Sequence, residues 1–367
     1  MAEKGGKLTI VDVMKDMGGA GVGIPVATEM KRRSYALHPI AEGLAAGRAK
    51  AAGLDLYFQG TVDWRAEPFT LDAAKVLAKI FPRESDRALG RVVCSMGSPI
   101  HLEELFGLAA IGLGIPLINR SDFWGSATRS SARPDLVLAI DEIDACAMRE
   151  YLGPDAKIAV VGNHAVRPEP IEIPPAVKEQ QDRLLGRFGT LILFAGGGDY
   201  TTAELKLLKE CLAKTPGAWA LVPRLHPKWV NTPKPGSEET YGEEWRRILA
   251  DLGDRITNIS SPDGDAVAAA CHVTVSGFST LMTTALDHGR IAIALDTPET
   301  RASFKSQTKI FEEYPLIRAG IVPKISAPTD LSAWLGGREP PASVVHRFLK
   351  PLDVATAADA IENAARS

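Results

Sequence analysis

Two short polar runs in the second half of the chain carry residue types that bind phosphate. One run is Arg224-Leu225-His226-Pro227-Lys228, which directly follows a strand predicted at Ala218–Val222. It offers two permanent cations and one titratable donor, and Pro227 fixes the backbone after the imidazole. A lone histidine is more often structural, but this position after a strand favours a diphosphate-binding role for Arg224, His226 and Pro227.

The second run is Ser276-Gly277-Phe278-Ser279-Thr280, between a strand predicted at Val273–Val275 and a helix predicted at Leu281–His288. Hydroxyl groups and unpaired backbone N–H groups at a helix start can bind phosphate oxygens. A simple serine cap would have the same sequence, so this run indicates a phosphate site only in combination with the His-Pro run. Its candidate ligands are Ser276, Gly277, Ser279 and Thr280.

Two glycine-rich segments also follow predicted strands. Gly197, Gly198 and Asp199 come after the strand predicted at Thr190–Phe194, where absent side chains would let a ligand approach the backbone. The segment matches neither GxGxxG nor GxxxxGK[ST], and a plain tight turn explains it equally well. The segment Gly18–Gly23 is predicted to be a similar turn, and it lacks the ribose-binding acid that a nicotinamide site requires.

Strand and helix patterns alternate along almost the whole chain, which is typical of βαβ units and parallel sheets. Prolines break the pattern between Arg167 and Pro175. We therefore predict an N-terminal Rossmann-like domain (1–175), a C-terminal one (176–338), and a tail (339–367) whose helix packs back toward the first domain. Ligands bind at the carboxyl ends of strands in such sheets, where the polar runs fall.

Composition limits the classes of function. The chain has 367 residues, 45% of them hydrophobic and 24% charged, which suits two globular domains. A formal net charge of −3 gives no overall electrostatic attraction to nucleic acid or to an anionic membrane. The four cysteines lie far apart, so we predict neither a zinc site nor a redox dithiol, and no metal ligand set is apparent.

No membrane-spanning or secretory segment is apparent in the sequence. The most apolar stretch, Leu105–Ile118, is shorter than the roughly 20 residues that span a bilayer. The first residues are polar and lead directly into a predicted strand. We therefore expect a cytoplasmic protein without a transmembrane segment; peripheral membrane contact and the oligomeric state stay open.

The order of these motifs resembles the carboxyl-terminal domain of GT-B glycosyltransferases. The likeness covers Thr190–Leu295 and is strongest to bacterial enzymes that polymerise capsules, polysialic acid or teichoic acid, whose His-Pro and Ser/Thr motifs hold the donor's phosphates. The first half is similar more loosely, through Gly97-Ser98-Pro99 and Ser121-Asp122-Phe123-Trp124. The resemblance implies two Rossmann-like domains facing a cleft and a UDP-, CDP- or CMP-linked sugar donor.

The resemblance also implies roles for particular residues. The donor's phosphates would lie between His226 and the Ser279–Thr280 helix start, while Gly18, Gly19 and Ser98 would face a glycan or lipid-linked acceptor. A carboxylate of the first domain, Asp16 or Asp122, would take the acceptor proton. This is the activity expected in synthesis of surface polysaccharide or glycoconjugates.

One departure from the family pattern keeps two alternatives open. Many relatives carry a ribose-binding Glu on the helix after the Ser-Thr run, and here that position is Thr284. A nucleotide-sugar epimerase or hydrolase of the same fold is one alternative. The other is a subunit that binds a nucleotide or sugar without turnover.

Overall fold

The computed structural model describes residues 8–60, 72–97, 101–167, 169, 171–335 and 348–364. These residues form two compact units. The first contains the described residues of Met1–His164, Gln307–Ile310 and Pro351–Ser367, and the second those of Ala165–Ser306 and Phe311–Lys350. Each unit is an α/β layer structure built on one parallel sheet.

The first unit contains seven strands, all paired in parallel with their neighbours. They are β1 (Thr9–Met14), β2 (Ala36–Glu42), β3 (Phe58–Gly60), β4 (Gly90–Ser95), β5 (Leu117–Arg120), β6 (Leu136–Ala139) and β7 (Ile158–Val160). Their order across the sheet is β3-β2-β1-β4-β5-β6-β7. The helices are α1 (Met17–Arg32), α2 (Gly43–Ala51), α3 (Ala73–Ile80), α4 (Glu84–Ala88), α5 (Leu102–Leu113) and α6 (Glu142–Leu152), with a short 3-10 helix at Ser126–Arg129.

Both faces of this sheet are covered. Neighbouring residues of a strand point to opposite sides of the sheet, so residues next to each other lie in two different apolar clusters. Val11 and Val92 are buried in the apolar cluster that includes residues of α3 and α5. Ile10 and Val93 are buried in a second cluster, which includes residues of α1 and of the last helix, α16 (Val354–Asn363). Burial on both faces explains why these strands are continuous apolar runs in the sequence.

The glycine-rich segment Gly18–Gly23 is helical, so the predicted turn is wrong. It forms the first turns of α1, which Asp16 caps by accepting a hydrogen bond from the Gly19 N–H at 2.8 Å. Glycine is unfavourable in a helix by about 1 kcal/mol relative to alanine, but here close packing requires it. A Cβ on Gly19 would lie 2.9 Å from the Ser95 Cβ, and one on Gly23 would lie 2.5 Å from the Met14 sulfur.

The second unit contains five parallel strands in the order β12-β11-β10-β8-β9. They are β8 (Thr190–Gly196), β9 (Trp219–Leu225), β10 (Val273–Ser276), β11 (Ile291–Leu295) and β12 (Lys324–Ile325). Its helices are α7 (Pro175–Leu185), α8 (Thr201–Lys214), α9 (Pro227–Val230), α10 (Tyr241–Leu249), α11 (Gly264–Ala270), α12 (Thr280–Asp287), α13 (Pro298–Thr308, of which 307 and 308 belong to the first unit), α14 (Pro315–Arg318) and α15 (Ser332–Leu335), with a 3-10 segment at Ala250–Arg255.

This sheet is also buried on both faces. Ile192 and Phe194 are buried in one apolar cluster, while Leu191 and Leu193 are buried in another. The predicted fold class, two Rossmann-like doubly wound parallel sheets, is therefore confirmed. Within the described ranges, no helix is both long enough and apolar enough to cross a membrane.

Candidate functional site

The three polar turns of the second unit lie side by side at the carboxyl edge of its sheet. They follow β8, β9 and β10, and β8 is hydrogen-bonded to both of the others. The His226 N–H donates to the Gly196 carbonyl at 2.8 Å, and the Ser276 hydroxyl donates to the Ala195 carbonyl at 2.7 Å. The structure thus brings the His-Pro run, the glycine turn and the Ser-Thr run to one edge.

Two aromatic side chains join the glycine turn to the Ser-Thr turn. The rings of Tyr200 and Phe278 are stacked, with centroids 4.7 Å apart and planes 16° from parallel. Both residues are buried. A Cβ on Gly198 would lie 2.7 Å from the Tyr200 ring, so the turn can lie this close to the ring only because residue 198 is glycine.

The backbone of Gly277 lies close to α8. A Cβ there would collide with the carboxylate of Glu204 and the methyl group of Thr300. Glu204 is fully buried and accepts a hydrogen bond from the Thr300 hydroxyl at 2.7 Å. Burial raises the pKa of Glu204 to about 8, so this carboxyl is largely protonated at neutral pH.

His226 is exposed and precedes the short helix α9 as its N-cap. Its Nδ1 accepts a hydrogen bond from the Lys228 N–H at 3.3 Å, and Pro227 occupies the first helical position. Because Nδ1 accepts, the neutral ring carries its proton on Nε2. The imidazole therefore presents an N–H donor at the carboxyl edge.

The Ser-Thr turn and Asp199 already have local hydrogen bonds. Ser279 is the N-cap of α12, and its hydroxyl accepts from the Leu281 N–H at 3.2 Å. Ser279 and Thr280 are partly exposed at the start of this helix. Asp199 is exposed, and its carboxylate accepts from the Tyr200 N–H at 2.9 Å. The Ser-Thr turn thus places the start of α12 and the capping hydroxyl of Ser279 at this edge.

Arg224 supports the neighbouring loop. Its guanidinium donates to the carbonyls of Ser261 and Pro262 at 2.9 and 3.0 Å, directly before α11. Burial lowers the pKa of Arg224, and the nearby carboxylates of Asp263 and Asp265 partly oppose this shift. The other cation of the run, Lys228, is exposed.

Thr284 is buried on α12. Its hydroxyl donates to the Asp265 carboxylate at 2.9 Å, and the other oxygen of Asp265 accepts from Arg167 at 2.9 Å. The position where the family resemblance places a ribose-binding Glu is therefore inside the packing between α11 and α12.

The carboxyl edge of the first sheet brings Asp16 and Asp122 to the start of α1. Asp16 caps this helix, and Asp122 follows β5. A Cβ on Gly18 would lie 2.5 Å from the Asp122 Oδ2, so this carboxylate packs directly against the helix start. The Arg129 guanidinium lies 3.5 Å from the other oxygen of Asp122. The remaining acceptor-side candidate, Ser98, lies outside the described residues.

Asp122 has the electrostatic environment of a proton acceptor. Burial raises its pKa to about 7, and the negative charge of Asp16 acts in the same direction, while Arg129 opposes the shift. A carboxylate that titrates near neutral pH suits general base catalysis.

Two buried glutamates lie near the carboxyl edges of the two sheets, and nothing in the sequence marked them as different from surface glutamates. Glu103, in the first turn of α5, and Glu204, in the first turn of α8, are both buried. Burial raises the pKa of each to about 8. A glutamate in a first helical turn ordinarily complements the helix dipole at the surface. Only the tertiary packing shows that these two are buried.

Comparisons with known proteins bear on the fold. No protein family model and no curated protein sequence matches the chain. Solved structures match over nearly its whole length. A candidate UDP-N-acetylglucosamine 2-epimerase from Listeria monocytogenes has a TM-score of 0.63 and 12% identity, covering 97% of this chain and 95% of its own.

Two further structures agree. The Anabaena protein HepE, solved with UDP and glucose, gives a TM-score of 0.59 at 12% identity, with 96% of this chain and 98% of HepE covered. A glycosyltransferase from Rickettsia africae gives 0.57 at 13% identity, with 99% and 95% covered.

The chain has the GT-B fold. In this GT-B chain the His-Pro, glycine and Ser-Thr turns belong to the second Rossmann-like unit, and the Asp16 and Asp122 carboxylates belong to the first. Among the described residues, no group of His, Cys, Asp and Glu has the arrangement to hold a metal ion.

Proposed function

We propose that this chain is a glycosyltransferase that moves a sugar from a UDP-linked donor to an acceptor hydroxyl in the synthesis of surface polysaccharide or glycoconjugates. The observation that carries the proposal is the meeting of three turns at one sheet edge, joined by the His226–Gly196 hydrogen bond and the Tyr200–Phe278 stack. Two structural neighbours support it, since one was solved with UDP and glucose and another is a glycosyltransferase.

In this proposal the donor's diphosphate binds at the carboxyl edge of the second sheet. The His226 Nε2–H and the backbone N–H groups at the start of α12 donate to phosphate oxygens, and Lys228 supplies positive charge nearby. Gly197 and Gly198 leave the backbone accessible from the neighbouring turn. These donors stabilise the negative charge that develops on the departing diphosphate as the glycosidic bond to the sugar breaks.

The acceptor hydroxyl loses its proton to a carboxylate of the first unit. Asp122 is the better candidate for this base, because its pKa is about 7. Asp16 already uses one carboxylate oxygen to cap α1. In the complete step the acceptor oxygen bonds to the anomeric carbon, the proton passes to Asp122, and UDP departs with the bonding electrons.

The second candidate function is a UDP-sugar 2-epimerase, which the Listeria neighbour favours. The two activities differ in whether the donor reacts alone. Purified protein is incubated with UDP-sugars, with and without a panel of glycoside acceptors, and the products are identified by mass spectrometry and NMR. UDP release together with a glycosylated acceptor supports the transferase.

Other outcomes contradict the transferase. An epimerised or hydrolysed sugar nucleotide formed without acceptor would establish the alternative reaction. Tight UDP binding with no conversion of any donor would instead indicate a binding subunit. A glycosylated acceptor, an altered sugar nucleotide formed without acceptor, and UDP binding (measured by calorimetry) without any product are three different results, so the experiment separates all three functions.

A further inference from the structure

The loop that carries the proposed base, Asp122, is buried throughout. It runs from Ser121 to Gly125, between β5 and the 3-10 helix that follows, and all of its residues are buried. The N–H groups of a buried loop need partners within the protein. The Ser121 N–H donates to the Leu138 carbonyl at 2.9 Å, and the Asp122 N–H donates to the Ser126 hydroxyl at 3.2 Å. These two bonds fix the first half of the loop.

Two carboxylates at the start of α6 fix the second half of the loop. The Trp124 indole Nε1–H donates to the Asp141 Oδ2 at 2.7 Å, and the Gly125 N–H donates to the Asp144 Oδ1 at 2.8 Å. Gly125 has a φ of 68°, in the left-handed region that favours glycine. Asp141 also caps α6, since its Oδ1 accepts from the Asp144 N–H at 2.8 Å. The start of α6 thus holds the loop at two neighbouring residues.

Asp144 does more than complete the start of α6. Asp141 already caps this helix, and the second oxygen of Asp144 accepts from the Ile140 N–H at 3.3 Å. Asp144 is fully buried, and burial raises its pKa to about 7. A buried carboxyl is unfavourable unless hydrogen bonds compensate for its lost hydration. The shorter of its two hydrogen bonds goes to Gly125, so the carboxyl is fully satisfied only while the loop stays in this position.

We propose that Asp141 and Asp144 are positioning residues, which hold the proposed base, Asp122, against the start of α1. They act through the two loop residues that they bind, Trp124 and Gly125. The inference rests on the proposed transferase function. When either hydrogen bond is removed, the loop can move away from α1, and water can reach the Asp122 carboxyl.

Movement of the loop would change the proton affinity of Asp122 as well as its position. The pKa of Asp122 is raised to about 7, chiefly because the carboxyl is buried. The Arg129 guanidinium, 3.5 Å from its Oδ1, lowers this pKa, whereas the charge of Asp16 at the start of α1 raises it. The Ser126 hydroxyl also lowers it. A carboxyl that gains water loses the main cause of the shift, so its pKa should fall toward the ordinary value of about 4.

The test uses variants of the full-length protein that break the contacts between α6 and the loop. Asp144→Ala removes the acceptor for the Gly125 N–H. Asp141→Ser keeps a cap for α6 but offers no second oxygen to the indole. Trp124→Phe keeps an aromatic ring and removes the Nε1 donor, so it tests the same contact with the smallest change to the fold. Met148→Ala is the matched control, because it removes a buried apolar side chain of the same helix and no hydrogen bond to the loop.

Sugar transfer from a UDP-sugar to a glycoside acceptor is measured from pH 5 to 9, UDP binding by calorimetry, and stability by thermal unfolding. We expect the three loop variants to lower kcat by about 10- to 100-fold, because the base is misplaced. The rise of kcat/KM with pH should move to lower pH, while the affinity for UDP stays as in wild type. Met148→Ala should unfold at a lower temperature but keep the wild-type pH profile.

A wild-type kcat and pH profile in the folded loop variants would overturn the inference, as would an equal shift of the profile in Met148→Ala. A wild-type protein that transfers sugar at a rate independent of pH would also overturn it, because Asp122 would then not be the base. The proposed function fails by a different result, in which the wild-type protein transfers sugar to no acceptor at any pH.

Discussion

The rings of Tyr200 and Phe278 stack with their centroids 4.7 Å apart, and this contact joins two turns that lie 78 positions apart in sequence. Phe278 also contacts Phe304, with centroids 5.0 Å apart. The stack therefore connects the glycine turn, the Ser-Thr turn and α13. If UDP binds at this edge, its binding should depend on the stack.

Phe278→Ala is expected to lower the free energy of unfolding by about 3 kcal/mol, since it removes a buried aromatic side chain. It should also weaken UDP binding, because the Ser-Thr turn loses its fixed position beside the glycine turn. Urea denaturation and calorimetric titration with UDP measure the two effects. Tyr200→Phe keeps the ring and is the control, for which both quantities should stay near wild type.

Gly277→Ala tests the close approach of the Ser-Thr turn to α8. The added methyl group would collide with Glu204 and Thr300, so we expect a loss of about 1–3 kcal/mol in unfolding free energy. We also expect weaker UDP binding. Gly186→Ala is the matched control in the same unit, because its added Cβ meets only ordinary contacts at 3.5 Å or more. Equal stability and equal UDP affinity of the two variants would show that the turn tolerates displacement.

The raised pKa of Asp122 predicts how activity changes with pH. The base must be ionised, so kcat/KM should rise as pH rises through about 7 and then level off. Asp122→Asn should abolish this rise and most of the activity. Asp16→Asn is the comparison: asparagine still caps α1, but the variant lacks the negative charge that helps to raise the pKa of Asp122, so it should keep the rise in kcat/KM and move it to lower pH. A wild-type profile that is flat between pH 5 and 9 would exclude Asp122 as the base.

The Asp122 carboxyl should make the free energy of unfolding fall as pH rises, whereas kcat/KM rises. Because the folded-state pKa of Asp122 is raised, the folded chain holds a proton that the unfolded chain releases above about pH 4. The carboxyl therefore favours the folded state at low pH, and this contribution is lost as pH rises from about 4 to 7. Urea denaturation at pH 5 and pH 8 should show a smaller loss of stability in Asp122→Asn than in wild type.

The sequence was sufficient to predict the fold class and the positions of the polar turns. Apolar runs at Thr190–Phe194 and Val273–Val275 predicted two strands, and the structure has strands at Thr190–Gly196 and Val273–Ser276. Strand patterns depend on local residues, and glycine or serine after such a run marks where the strand ends. Because these signals depend only on neighbouring residues, they can be recognised in a single amino-acid sequence.

Long-range packing decided what could not be predicted. Gly18–Gly23 has poor helix propensity, yet it is helical, and only glycine fits at positions 19 and 23, where Ser95 and Met14 lie too close for a side chain. The order of the strands, which places β8 between β9 and β10, has no local signal. The burial of Glu103 likewise follows from the surrounding fold and not from the neighbouring sequence.

The central claim is that the imidazole at position 226 donates to the phosphates of a bound nucleotide, and His226→Asn tests it most directly. Asparagine can still accept the hydrogen bond from the Lys228 N–H and cap α9, but it lacks the Nε2–H donor. Thermal unfolding of the variant should therefore match wild type, while the rate of UDP-sugar turnover should fall by about 10²–10³. Turnover within about tenfold of wild type in the folded variant would contradict the account.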